Sequence, residues 1–377
     1  MKTAIWLYLF MFVAFFDLHA QYPILSPFAL SIGAAPSFIG LIMGVYSFTH
    51  LPGNLLAGYG VDRFGSKRFI IGSLIAAGFA LLYQSRVTDP WHLLWIRSIS
   101  GFVLAFLSPA CLALLAKLAA NPVQQSKFMA GNGFVHTLAS VVSPAAGALL
   151  VAKLGFSQSF TWLGWGLVLT GGLALIGLKE QPQVVGNNLQ AQSVKKEHLE
   201  RSIPWLFFGI PLSISCSQGI LFFELPLMKS TQGSILTSGF MFSLISLGAL
   251  TTISMLFLNR IPAFLRTLFG SLSLALVFFG ISVDWPLPLS VSLFLIGMSK
   301  GVIFPAIASL LAQVTGSNRY GRVFSLLSIS FSIGAFIGPI LAGQLRSEVS
   351  PYFMAFLILM VGLSILPYNQ LRRIALA

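Results

Sequence analysis

Charge is what this sequence lacks. Only 8% of its 377 residues are Asp, Glu, Lys or Arg, and the acids number nine. A soluble domain carries about 25% charged residues. A soluble chain of this length cannot cover its surface with so few, so a soluble globular protein is excluded. Cysteine is scarce as well. Cys111 and Cys216 lie in separate apolar runs and read as small buried residues, with neither a disulfide framework nor a metal site behind them. There is no phosphate-binding glycine loop, no zinc-ligand spacing and no nucleophile motif with its partners, so the chain does not read as an enzyme.

What is present is apolar: 56% of residues are hydrophobic and 34 are Phe. A helix that crosses a bilayer needs about 20 such residues. Twelve runs qualify, near 5–27, 36–58, 69–86, 91–114, 128–152, 159–178, 204–227, 236–258, 266–283, 288–312, 322–345 and 351–370. The expected class is therefore an all-α, multi-pass membrane protein of twelve helices. The first run has one base, Lys2, before it and no small-residue cleavage site after it, so it reads as a retained helix. The single polar linker, 179–203, divides the chain into an N-terminal bundle (1–178) and a C-terminal bundle (204–377).

The net charge of +13 would suggest nucleic acid in a soluble protein. Here its distribution explains it. With the N-terminus placed inside, the inner segments hold sixteen bases and the outer segments four: Arg86, Lys153, Lys229 and Arg346. Arg97 and Lys300 fall within helices. This bias predicts that both termini are cytoplasmic. The lipid bilayer is the expected partner, and nucleic acid is not.

The chain also repeats itself. Ala139-x3-Ser143-Pro144-x2-Gly147-Ala148 recurs as Gly334-x3-Gly338-Pro339-x2-Ala342-Gly343, 195 positions on. Gly101-x7-Pro109-Ala110 recurs as Gly297-x7-Pro305-Ala306, 196 positions on. Asp62-Arg63 faces Asn259-Arg260, and Lys127 faces Arg322, at offsets of 197 and 195. Nearly one offset in four places predicts two six-helix units related by duplication.

The densest charge cluster is Gly58-Tyr-Gly-Val-Asp62-Arg63-Phe-Gly65-Ser-Lys67-Arg68, between the second and third runs. It resembles the signature loop of the major facilitator superfamily, G-x-x-x-D-R-x-G-R-K, with Ser66 where arginine is usual. Arg97-x3-Gly101 is similar to the family's fourth-helix motif. The fifth-helix antiporter motif is kept at Pro144 and Gly147, and the eleventh run carries that pattern better, at Gly338-Pro339. Tyr22-Pro23-x3-Pro27 looks like a segment of the twelve-helix drug:proton antiporters. Together these imply a secondary transporter working by alternating access, with its site between two bundles near the midplane. They imply proton-coupled efflux of a small amphipathic molecule through a bacterial-type inner membrane. A monomer driven by a proton gradient, with no cofactor, is expected. The alternative is an importer or lipid flippase for an anion. In the signature loop, Gly58 is expected to admit a neighbouring helix and Gly65 to allow a sharp turn. Asp62 is expected to accept hydrogen bonds from helix N-terminal amides. The family role is a clasp that stabilises the outward-open state.

A charge at the bilayer centre costs at least about 2.5–3.5 kcal/mol, so each intramembrane charge is a functional candidate. Asp17 and Arg97 are each about six residues from the outer end of their runs. At 1.5 Å per residue both lie about 9 Å deep, and a direct pair or a shared water is expected. Asp17 is the expected proton site and Arg97 its tuner. Gln21 lies one turn beyond Asp17 on the same face. His19 points elsewhere and reads as a packed residue. Glu224 is either a second acid site or a residue that snorkels outward. Lys300, near the midplane of the tenth run, is expected to face substrate. Asn132 and His136, one turn apart, are candidate cavity residues. Phe10, Phe102, Phe222, Phe223 and Phe304 are candidates to coat the cavity.

Asp62→Asn keeps the shape of the signature loop and removes its charge. Transport is predicted to fall with near-normal expression; wild-type flux would refute the clasp.

Overall fold

The computed structural model describes residues 2–178, 205–228, 233–315 and 320–366. The linker 179–203 therefore lies outside the described residues. Among the described residues every regular element is a helix. Nine helical stretches are long and apolar enough to cross a membrane. One of them, α7 (Pro122–Gly177), is two spans joined at Gly155, whose φ of 80° and ψ of 171° break the helix. A side chain is strained at that φ, which is why glycine stands there. With α3 (Pro36–Phe64) and the shorter apolar α13 (Pro351–Ile365), the crossings come to the expected twelve.

The other elements are α1 (Lys2–Ala20), α2 (Tyr22–Ser31), α4 (Ser66–Gln84), α5 (Pro90–Leu104) and α6 (Leu107–Leu118) in the first half. The second half holds α8 (Gly209–Glu224), α9 (Ile235–Ser254), α10 (Ala263–Ser282), α11 (Leu289–Thr315) and α12 (Tyr320–Leu345). Helix starts follow local chemistry. Pro36, Pro90, Pro122 and Pro351 each open a helix, where the missing N–H costs nothing. Asp89 caps α5 by accepting from the Trp91 N–H at 2.9 Å. Asn121 caps α7 by accepting from the Gln124 N–H at 2.8 Å.

Two boundaries differ from expectation. The first crossing continues past 27 to Ser31, because Pro23 restarts the helix as α2 instead of ending it. The second crossing runs through Asp62 and Arg63 to Phe64, so most of the signature stretch is helical and only Gly65 turns the chain. Gly65 does so at φ +87°, as expected.

Bilayer helices gain little from hydrophobic association, so close approach at small residues holds them together. The duplication is visible in these approaches. Gly101 of α5 lies against the carbonyl of Tyr46 in α3, and Gly297 of α11 against the carbonyl of Ile245 in α9. Each half thus closes the same helix pair with the same residue. Among the described residues, two close helix crossings join the halves. In one, Gly40 and Gly44 of α3 rest on the carbonyls of Pro339 and Phe336 in α12, and Gly343 rests on that of Pro36. In the other, Gly239 of α9 rests on the carbonyl of Pro144 in α7. Pro144 and Pro339, the repeated prolines, therefore sit at equivalent inter-half crossings. On its other face α12 packs Gly334 and Gly338 against α8 at Leu212 and Cys216.

These inter-half crossings lie at the end of the bundle away from Arg63, Lys67 and Arg68. Tyr22 closes the same region by packing on Phe222, ring centroids 4.2 Å apart. The halves are thus sealed at one end. In the direction of the basic loops, His136 is exposed although it lies in mid-helix.

Gly40→Val places a Cβ into the Pro339 carbonyl, which cannot move aside. The sealed end is predicted to open. Cys111 and Cys216 are buried, so an impermeant maleimide reports on an added Ser47→Cys with little background. Labelling from the sealed side should rise in the Gly40→Val background; unchanged labelling would contradict the role given to this crossing.

Candidate functional site

The site begins at the break between α1 and α2. Pro23 has no N–H, so the carbonyl of His19 loses its helical donor and the chain is interrupted near Gln21. Asp17, Gln21 and Arg97 converge there and are 2%, 4% and 5% exposed. The Gln21 Nε2 donates to both Asp17 carboxylate oxygens, at 3.0 Å each. Arg97 Nη1 donates to Gln21 Oε1 at 2.9 Å. A guanidinium only donates and a carboxylate only accepts, so the amide fits between them in this orientation alone.

Of the two arrangements expected for Asp17 and Arg97, a direct pair or a shared water, the direct pair is the one the structure does not form. Among the described residues the two charges form no direct ion pair; the Gln21 side chain stands between them. The depth estimate is corrected with it. Asp17 is 14 residues short of Ser31, so it lies about 21 Å from the end of the rod rather than near the rim.

Arg97 is positioned by its own motif. Gly101, one turn on, lets α5 press on α3 at Tyr46 and Thr49. The guanidinium carbon then lies 4.6 Å from the centroid of the Tyr46 ring. Among the described residues its Nε has no hydrogen-bond partner. A cavity of about 140 Å³ adjoins this group, between the two halves. Gln21, Tyr22, Tyr46 and Arg97 line it from one side, and Gln218, Phe222 and Pro339 from the other. At about 30 Å³ per water, it has room for about four waters beside the buried charges.

A second cluster lies nearby. His19, expected merely to pack, is 8% exposed and packs edge-on against His136, centroids 5.2 Å apart. His19 Nδ1 donates to the Phe15 carbonyl at 2.7 Å, which leaves Nε2 uncommitted. Lys300 Nζ lies 5.6 Å from the Phe222 ring centroid and 5.9 Å from that of Phe304. Asn132 is one turn from His136, and its buried Oδ1 has no hydrogen-bond partner among the described residues.

Glu224 is not a free acid site and does not snorkel. Arg346, the residue that follows α12, holds it, with Nε 2.9 Å from Oε2 and Nη2 donating to Oε1 at 3.1 Å. The same Nη2 donates to the Leu227 carbonyl at 2.8 Å. This ties α8 to α12 inside the second half. Phe10 and Phe223 are fully buried core residues rather than cavity lining. Phe102 is stacked edge-on at Phe106. Phe222 and Phe304 do approach the polar clusters.

In the signature stretch, Gly58 faces open space and brings no neighbour close in this structure, contrary to expectation. Arg63 donates to the Tyr59 hydroxyl at 2.9 Å. Lys67 and Arg68 stand at the start of α4, with Arg68 exposed. The Asp62 side chain lies outside the described residues. Sequence reasoning missed Tyr46 and the pairing of His19 with His136. The motif spacing of Gly101 signals that α5 meets a neighbour but does not identify it.

Duplicated helical bundles that enclose buried charges at a cavity on their shared face define a membrane transporter. The Major Facilitator Superfamily model matches residues 7–283 and again 264–369, and the chain belongs to this superfamily. It is similar to the multi-drug resistance efflux pump PmrA homolog of Lactococcus lactis, 23% identical over 348 residues, covering 87% of this chain and 84% of the relative. It is also similar to multidrug resistance protein MdtG of Escherichia coli, 23% identical over 330 residues, covering 83% and 79%. Among solved structures it resembles a bacterial homolog of the human lysosomal transporter Spinster, inward-facing and unoccupied. The TM-score is 0.77 at 12% identity, covering 99% of this chain and 97% of the other, a likeness of fold.

Glu224→Gln leaves the Arg346 charge without its carboxylate. A lower melting temperature in detergent is predicted, with the pH response of transport retained. Loss of that response at unchanged stability would return Glu224 to the proton pathway.

Proposed function

We propose that this transporter exports a small amphipathic molecule from the cytoplasm in exchange for protons, with Asp17 as the proton site. The observation that carries the reading is the buried Arg97–Gln21–Asp17 chain beside an inter-half cavity. An ionised Asp17 accepts both hydrogen bonds from Gln21. A proton arriving through cavity water converts one oxygen into a hydroxyl, which accepts poorly and donates instead. The Gln21 amide then loses one of its two bonds to Asp17, and the interior near Arg97 gains a net positive charge. Both changes disturb the joint between the α1–α2 break and α5. The two inter-half crossings supply the element on which that disturbance acts, since their release opens the sealed end.

The basic loops support a cytoplasmic location for the end that is not sealed, with both termini on that side of the cell's inner membrane. The multidrug names of the relatives support the direction of transport and the amphipathic cargo. Import or flipping of an anion is the second reading, and the position of Lys300 favours it.

The test is flux in proteoliposomes under an imposed pH gradient. Asp17→Asn is predicted to abolish gradient-driven efflux while substrate exchange without a gradient continues. Undiminished gradient-driven efflux would eliminate Asp17 as the proton site.

A further inference from the structure

The coupling scheme leaves one intramembrane charge unused. Asp17 and Arg97 offset each other through Gln21. Glu224 is offset by Arg346. Lys300 is the twelfth of the 27 residues of α11, too far from either end to reach the membrane surface. Among the described residues it has no carboxylate partner; its neighbours are rings. The faces of Phe222 and Phe304 are turned to its ammonium. Tyr22 packs on Phe222, and Tyr22 and Phe222 both border the inter-half cavity.

This arrangement discriminates by charge. A site for an aromatic ammonium offers a surplus acid or free ring faces. Here the nearby acids are engaged by Gln21 and Arg346, and the two Phe rings already face a cation. What remains is one positive charge in a low-dielectric setting, walled by aromatic side chains. That complements an anion carried on a flat apolar body. We propose that Lys300 and the rings of Tyr22, Phe222 and Phe304 form the subsite for an aromatic carboxylate. This rests on the transporter reading above and narrows its cargo from amphipathic molecules in general to anionic aromatic ones.

The test uses purified full-length protein in lipid nanodiscs and equilibrium dialysis with three matched probes: naphthoate, naphthylmethanol and naphthylmethylamine. The wild type should bind naphthoate most tightly and the amine least. Lys300→Met should weaken naphthoate about tenfold or more, the scale of one lost charge-assisted hydrogen bond, while the alcohol binds as before. Lys300→Arg should restore naphthoate binding. A wild type that prefers the amine would overturn the proposal, as would a Lys300→Met protein that keeps its naphthoate affinity. Binding is read without a gradient and does not depend on Asp17 turnover. Preference for the amine would remove the anion subsite and leave proton coupling standing. Retained gradient-driven efflux in Asp17→Asn would do the reverse.

Discussion

A single amide between two buried opposite charges is the constraint on which the rest depends. Buried ion pairs gain little from stability alone, since desolvation offsets much of their attraction. In the proposed cycle, placing Gln21 between Asp17 and Arg97 makes the arrangement sensitive to one proton. The guanidinium fixes the amide by its oxygen, and the amide nitrogen then has one task, to satisfy a carboxylate. A neutral carboxyl does not fit the same geometry. Because Gln21 stands at a helix break and Arg97 on a helix pressed against α3 by Gly101, the fit involves three crossings at once.

The bundle around this group is built to separate. Its two inter-half crossings are built on glycine-on-carbonyl contacts, which permit close approach, with Phe48 packed on Phe336 beside one of them. The stronger polar links stay within a half: Glu224 with Arg346 in the second, and the Gln21 chain in the first. Ionic and amide hydrogen bonds within each half, and apolar helix packing between them, suit two units that rock as rigid bodies. The Tyr22–Phe222 contact is where the polar centre and the sealed end meet.

Much of this was legible in the sequence. Apolar runs of spanning length are hard to mistake, and a near-constant offset between repeated motifs exposes duplication. Scarcity of charge singled out Asp17, Arg97 and Lys300, since each needs a reason to be in a bilayer. The partners were less legible. An end about six residues beyond Asp17 is too close: the apolar run reaches 27, ten residues on, and Pro23 restarts the helix and carries it to Ser31, fourteen on. Arg346 read as a marker of the outer surface, and only the packing of Gly334 and Gly338 on α8 brings it to Glu224. His19 meets His136 because Gly147 lets α7 settle on the Ala20 carbonyl. Spacing along one helix carries no information about which neighbour crosses it.

In the proposed cycle Asp17 gains and loses a proton while held by the Gln21 amide. Infrared difference spectra of the reconstituted protein between alkaline and acid pH measure this directly. A protonated-carboxyl C=O band should appear on acidification, vanish in Asp17→Asn, and shift in Gln21→Leu. A spectrum with no Asp17-dependent carboxyl band anywhere in the range where the protein transports would contradict it.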